Sequence, residues 1–479
     1  MGINGEKNLY NQYEKLLEKF DIQTLLLKEQ NELIKELTKT IKEKDLKIEK
    51  LILENERLKT NNKKDSSNSS KPSGTNGLKK VITNRREKSG KKQGGQLNHD
   101  LYKLDEEKIN DLIAKGATVE IIPVNLNKNN KNKKYKTVKV IDIEIITIIK
   151  EYRYYPDEQG NYNLPNNVQD ISYGENIKAI STMLMNEFPN STDGVKNILG
   201  SLTNDGIDLS KGTLINWNND LANLLSPELE NIEKKLLDSY YSNFDESSIK
   251  INGESYNQIC ASNQNHTRLW ISKQKRHEDL ETIEFFLLFM GIIIKDGTDI
   301  YNGFGRLFSQ CLSHILRYLK GLYDFIDHKG PKEMAEFLSK CIKRRDELIK
   351  KKRKSFTASE LNVLLAEYDE IIRGWKKEWM TDEKNHLYDD ERKLLSRMEE
   401  DDKEQILYFL KDFKIPATNN QAEADQRPIK IKQRVGKFRS EKGAQNYVEI
   451  RSCISTYKKN AINTLTAIRN AFLGIPTII

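Results

Sequence analysis

The chain has 479 residues, 31% of them charged, with a formal net charge of +8 and a sequence pI near 8.9. That length predicts roughly three domains with at least one sizeable core, and four cysteines without a CxxC or regular spacing predict a reduced, cytoplasmic chain rather than a disulfide scaffold. No stretch has the pattern of a signal peptide or the apolar length of a membrane span, so no membrane association is expected, and the placement of the basic residues matters more than their sum.

Residues 1–60 are read as a coiled coil. Leu27, Ile34, Ile41, Ile48 and Asn55 occupy a positions, and Gln30, Leu37, Lys44, Leu51 and Leu58 occupy d positions. Ile at a with Leu at d favours a parallel dimer, and a seam Asn fixes register. The alternative is a lone amphipathic helix packed on its own domain. Residues 61–100 follow as a flexible basic linker: Asn61–His99 holds ten basic residues against two acids, Asp65 and Glu87. Such a segment buries no core, but its lysines, Lys91 and Lys92 among them, suit DNA phosphates. A bare solubilising linker is the other reading.

Residues 101–172 read as a small β-rich module. A short helix at Glu106–Lys115 precedes strands at Val119–Val124 and Tyr135–Tyr155, joined by a loop at Asn125–Lys134. Residues 173–236 read as helical. A helix through Ile177, Ile180 and Leu184, a second at Val195–Leu202, a break at Asn204–Gly206 and a third capped by Ser210 fit a helix-turn-helix reader. Lys211, Thr213 and Asn216 would then face DNA, although plain helical bundles share this pattern.

Residues 237–304 switch to period two. Tyr241, Asn243, Asp245 and Ser247 fall on one strand face; Tyr256–Ala261 and Arg268–Ser272 continue as strands. A helix at Glu278–Met290 leads into GIIIKDG, a run suited to a strand buried on both faces, with Asp296 at its carboxyl end. This mixed α/β pattern can place Asp245 and Asp296 on neighbouring strand positions of one sheet. Residues 305–414 read as an all-helical insertion without further strand signal, and the sheet is expected to resume near Ile415–Pro416.

Residues 415–479 hold TNNQAEADQRPIKIKQRVGKFRSEKGAQNY, in which two asparagines can cap a helix and seven Lys or Arg follow between Arg427 and Lys442. Glu423, Arg427 and Lys430 share a helix face, with Asp425 pointing elsewhere and Pro428 able to kink or end the helix. An acid on a basic face suits work on a polyanion; an ordinary Glu423–Arg427 pair on a solvated face is the bland alternative. Three carboxylates on strand ends and a helix start suggest a two-metal phosphodiester site.

These blocks resemble, in order, the DDE transposases of the insertion-sequence sixty-six family: NSSKPSG, SGKKQGGQLNH, LSKGTLINW, FDES, GIIIKDG, CLSHILRYLKGL and the terminal TNNQAEADQR stretch. The resemblance covers about Asn68 to Gly474. It implies an RNase H-like α/β catalytic domain split by a helical insertion, with Asp245, Asp296 and Glu423 as the catalytic, metal-binding carboxylates. Two Mg²⁺ ions are expected, with Mn²⁺ able to substitute. The partners implied are the double-stranded DNA of element ends and target, a second copy through the coiled coil, and accessory proteins of the same element. Action would be cytoplasmic, on a bacterial nucleoid. Arg427, Lys430, Lys432, Arg434, Lys437 and Arg439 would hold phosphates. Cys311 and His314 match the family's CxxH element; two ligands make an incomplete zinc site, and structural packing is expected.

Three departures stand out. The family's zinc-binding module is cysteine-bearing, yet Val119–Leu164 contains no cysteine, so zinc is not expected. The family's Arg after the third carboxylate is replaced by Ala424, and Ser stands where Thr is usual in FDES. A DNA-binding protein derived from a transposase but impaired in cleavage is therefore a competing reading. A coiled-coil assembly factor is a third.

Overall fold

The computed structural model describes residues 3–63, 105–123, 137–163, 172–382, 385 and 388–478. It divides into two units, Met1–Asn76 with Tyr154–Ile479, and Gly77–Arg153.

Helix α1 (Ile3–Lys63) runs unbroken for 61 residues, well beyond the predicted heptads. Its seam is uncovered in the single chain: Ile34, Leu37, Ile41 and Ile48 are 59%, 53%, 58% and 54% exposed. In the unit Gly77–Arg153, α2 (Glu106–Ala114) begins at Asp105, whose side chain accepts the Lys108 N–H at 2.9 Å. The strands expected at Val119–Val124 and Tyr135–Tyr155 are corrected by the structure. Residues 117–123 and 137–157 form no strand, and Val138, Val140 and Ile143 are more than 80% exposed. A two-stranded ribbon without a covering layer is marginal, and none of the described residues of this unit supplies that layer. The loop Asn125–Lys134 and the linker lysines Lys91 and Lys92 lie outside the described residues.

Helices α3 (Glu175–Asn186), α4 (Thr192–Leu202) and α5 (Lys211–Leu224) close around Met185, Val195, Leu199, Leu214 and Trp217. Ser191 and Ser210 cap α4 and α5, each accepting a backbone N–H three residues on at 3.0 Å. Asn204 and Asp205, at φ 49° and 58°, make the turn between them. Helix α6 (Ser226–Leu237) leads into the sheet.

The sheet comprises β1 (Tyr241–Ile251), β2 (Glu254–Ser262), β3 (Thr267–Ser272), β4 (Ile292–Lys295) and β5 (Leu307–Gln310), in spatial order β3-β2-β1-β4-β5. β1, β2 and β3 form an antiparallel meander, turned between β1 and β2 by Asn252 and Gly253 at φ 48° and 89°. β4 and β5 continue parallel to β1. The edge at β3 is covered: Ser452 and Thr456 of α15 (Glu441–Lys459) accept the Leu269 and Thr267 N–H groups at 3.0 and 3.1 Å.

Three sequence expectations change here. The helix expected at Glu278–Met290 is two short ones, α7 (His277–Glu281) and α8 (Glu284–Leu288), which pack Phe285, Phe286 and Phe289 around Phe244. The insertion is not all helical, because β5 opens it; four residues with only Leu307 and Phe308 apolar carry too little periodicity to be read as a strand. Nor does the chain re-enter the sheet at Ile415. That side chain instead packs beneath Ile292 and Ile294 of β4.

The remaining insertion is α9 (Leu312–Tyr323), α10 (Gly330–Lys350), α11 (Ala358–Thr381), α12 (Asp389–Ser396), a π-helical turn (Arg397–Asp401) and α13 (Lys403–Lys411). It has its own core around Leu319, Phe337, Tyr368 and Trp375. Helix α14 (Asn420–Val435) then crosses the sheet, burying Ala422 and Ile429 against Ile249, Ile251 and Cys260. Helix α16 (Thr464–Phe472) follows α15.

Candidate active site

Asp245 lies midway along β1, and Asp296 immediately follows β4. The parallel pairing of these strands runs from Tyr241↔Ile292 to Asn243↔Ile294. Continuing the same register brings Asp245 opposite Asp296. Glu423 arrives from the first turn of α14, which is anchored by one buried side chain. Asn419 Nδ2 donates to the Phe244 carbonyl at 2.6 Å, and the Asn419 backbone N–H donates to Cys311 Sγ at 3.1 Å. Phe244 precedes Asp245, so this bond fixes the start of the helix carrying the third acid beside the strand carrying the first.

The electrostatics record the convergence. The Asp245 carboxyl is pushed up to about 8, first by burial and then by the negative charges of Glu246, Asp296 and Glu423. Burial also raises Glu246, which accepts from Tyr301 Oη at 2.8 Å and pairs with Lys275. Glu246 is a fourth acid nearby, felt by Asp245 and Asp296 through its charge. Strand alternation places it on the face opposite Asp245, which is why the residue pattern did not single it out.

His314 Nε2 stands 3.9 Å from Glu423 Oε1, and its imidazole is held below its usual range by burial and then by Arg317. Ligand atoms of Cys311, His314 and Glu423 lie within 4.8 Å of one another. Burial raises the Cys311 thiol, and its sulfur already accepts the Asn419 N–H. Those two observations favour a packing role for Cys311, holding the start of α14.

The three acids offer only oxygen donors, the kind a hard divalent cation takes, although among the described residues the ligand atoms that gather within 4.8 Å are those of Cys311, His314 and Glu423 rather than of the three acids. All the converging donors on β1, β4 and α14 are carboxylate oxygens, they repel one another, and Glu423 Oε1 is buried without a hydrogen-bond partner. No ion pair joins Glu423 to Arg427 among the described residues; Arg427 is exposed, and Glu423 turns toward His314. Asp425 points elsewhere, pairing with Lys459 at 2.7 Å and accepting from Thr267 Oγ1 at 2.9 Å. Helix α14 passes through Pro428 without ending.

The basic run divides in two. Arg427, Arg434, Lys437 and Arg439 are exposed. Lys430 and Lys432 instead turn inward, Lys430 Nζ donating to the Ser248 carbonyl and Lys432 Nζ to the Asn190 carbonyl at 2.9 Å. In the helical region, Lys211 pairs with Asp193 at 2.8 Å, Thr213 Oγ1 shares a hydrogen bond with Ser210 Oγ, and Asn216 is exposed.

A mixed five-stranded sheet flanked by helices, with a long insertion before α14, defines an α/β protein. The family model described as "Transposase IS66 family" matches residues 194–446, over half of the chain and inclusive of sheet, insertion and α14. The chain belongs to the IS66 family of transposases. No curated protein matches it.

Proposed function

We propose that this transposase cuts DNA at the ends of its element and joins the freed ends to target DNA, with Asp245, Asp296 and Glu423 as the metal-holding acids. The observation that carries this reading is geometric: the β1–β4 register sets Asp245 opposite Asp296, and the Asn419–Phe244 hydrogen bond brings the start of the helix that bears Glu423 beside β1. The sheet order, with an antiparallel meander continued by two parallel strands, supports an RNase H-like domain. Bound Mg²⁺ or Mn²⁺ would lower the charge on the attacking oxygen and on the leaving one. Asp245 and Asp296, held by adjacent parallel strands, fix one side of the site. Glu423 is positioned from the other side by the Asn419–Phe244 hydrogen bond.

In the first step a water oxygen attacks the phosphorus at the element end, and the P–O3′ bond breaks. The attacking water loses a proton and the 3′ oxygen gains one. The 3′-OH then attacks a target phosphorus in line, displacing a target 3′ oxygen. Arg427, Arg434, Lys437 and Arg439 supply exposed cations for the DNA backbone. The exposed seam of α1 suits a second copy of the chain, and accessory proteins of the element complete the assembly.

Asp245→Asn, Asp296→Asn and Glu423→Gln should each abolish strand cleavage while leaving end binding intact. Any one that still cleaves is thereby removed from the site. Ala424, exposed beside Glu423, favours a second reading as a DNA-binding derivative without cleavage. That reading predicts end binding with no Mg²⁺- or Mn²⁺-dependent nick.

A further inference from the structure

The helical insertion touches the acidic site through a residue that no sequence motif marks. Between α12 and α13 the chain widens into a π-helical turn, Arg397–Asp401, a backbone device frequent at functional positions. The turn delivers Arg397 to the loop after β4. A Cβ built on Gly297 would lie 2.7 Å from Arg397 Nη2 and 2.9 Å from Nη1. The guanidinium therefore lies against the backbone one residue beyond Asp296, in space that only a glycine leaves open.

Its orientation is fixed from behind. Arg397 Nε donates to Asp402 Oδ2 at 2.7 Å, and the Arg397 side chain is 28% exposed. Nη2, by contrast, is buried and has no hydrogen-bond partner. A second cation nearby is already engaged: Lys295 Nζ donates to the Thr298 carbonyl at 2.8 Å and to Asn302 Oδ1 at 2.7 Å. Asp296 Oδ1 accepts the Thr298 N–H at 3.0 Å. Arg397 is thus a clamped, permanently charged fork with an unsatisfied donor against Gly297, the residue after the second acid. A charged donor buried without an acceptor is a standing penalty, and a phosphate oxygen is the acceptor that its planar geometry matches best.

We propose that Arg397 is a phosphate-binding residue, its Nη2 donating to a non-bridging oxygen of the DNA phosphate seated at Asp245, Asp296 and Glu423. The inference rests on the reading of those acids as the cleavage site. It gives the insertion a direct part in holding DNA: the sheet brings negative charge, and the insertion brings the cation that lets a phosphate approach. Gly297 is needed because any side chain there displaces the guanidinium.

The test uses the full chain and duplexes carrying the gene-flanking end, either unmodified or with one neutral methylphosphonate at the cleavage position. Binding is measured in Ca²⁺ and cleavage in Mg²⁺, for wild type, Arg397→Gln and Arg397→Lys. Arg397→Gln should slow single-turnover cleavage roughly 10²-fold, the usual cost of one preorganised donor, with Arg397→Lys in between. Methylphosphonate should weaken wild-type binding about tenfold, as loss of one charge-assisted bond does, and leave Arg397→Gln binding unchanged. A residue that merely clips the π turn to Asp402 would weaken binding to both duplexes equally, and that result overturns the proposal. So does cleavage by Arg397→Gln within twofold of wild type. Should Arg397→Gln fail to fold, Arg397→Lys carries the same comparison, since it keeps the charge facing Asp402. If wild type binds but never cuts, the cleavage reading falls, while the two-duplex binding comparison still decides the role of Arg397.

Discussion

The sheet and the helical insertion meet at one site but contribute opposite charge by opposite means. The sheet side brings Asp245, Glu246 and Asp296 together on short, well-paired strands, so their mutual repulsion is built into a rigid scaffold. The insertion side brings the Arg397 guanidinium, held in a π turn, and His314, whose imidazole burial keeps in its neutral form. The acids are fixed by backbone register, which no single side-chain loss undoes. The one cation, Arg397, depends on the packing of the insertion and on its bond to Asp402. On the proposed function, a site divided in this way stores electrostatic stress in the sheet that a bound metal would relieve.

The sharpest way to break this comparison is Asp245→Asn, which should act with opposite sign on two readouts. Cleavage should fall on the order of 10³-fold or more, since charge stabilisation worth several kcal/mol goes with the ligand. Metal-free stability should rise. An aspartate ordinarily titrates near ~3.9 in an unfolded chain, whereas Asp245 is pushed up to about 8 in the fold. The folded state therefore holds the extra proton between those values. Its stabilisation is complete below the lower one and drains as pH climbs toward the upper. Thermal melts in chelator at pH 5 and pH 8 should show wild type losing stability with rising pH more than Asp245→Asn does. Divalent cation should restore the wild type most at the higher pH. Equal melts for the two proteins at pH 8 would count against the stressed cluster.

A smaller effect is expected from the tether between sheet and helix. Asn419→Ala removes the donor to Phe244 O and should cost about 1–3 kcal/mol of stability, the range for a buried acceptor left unpaired. Cleavage should fall with little change in end binding, because Glu423 loses its anchor while the exposed cations stay. Unchanged cleavage would show that α14 is positioned by packing alone.

The weakest effect concerns α14 and the loop after it. Arg434→Ala, Lys437→Ala and Arg439→Ala should each weaken DNA binding uniformly and lower the slope of log affinity against log salt by about one. Lys432→Ala should lower stability instead and leave the slope alone, since its ammonium is held by Asn190 O. A change in slope for Lys432→Ala would return that residue to the DNA face.

Much of this architecture was legible from local pattern. β1 to β4 follow period two or a continuous apolar run, and α4 and α5 are announced by Ser191 and Ser210. Asp296 and Glu423 were readable as candidates because they sit where a strand ends and a helix starts; Asp245, expected at a strand end, lies inside β1 and was marked by its block alone. What stayed hidden depends on closure. β5 has four residues, which is too few for a period to show. Glu246 alternates to the far face of β1, yet its charge still reaches Asp296. Asn419 looks like a helix cap, but its amide leaves the helix for Phe244 O. Arg397 gains meaning only from Gly297, far away in the chain. The strands expected at Val119–Val124 and Tyr135–Tyr155 are absent over their described residues for the converse reason: their composition favours strand, but no described residue forms a layer over them.

On the proposed function, acids from β1, β4 and α14 form one cation-dependent DNA-cutting site. Single-turnover cleavage of the duplex flanking the gene, by wild type and Glu423→Gln with Mg²⁺ and with chelator, tests it most directly. Wild type should leave a nick with a free 3′-OH only in Mg²⁺, and Glu423→Gln should bind the same duplex without cutting. Nicking that persists in chelator or in Glu423→Gln, or specific binding by wild type without any nick, would contradict it.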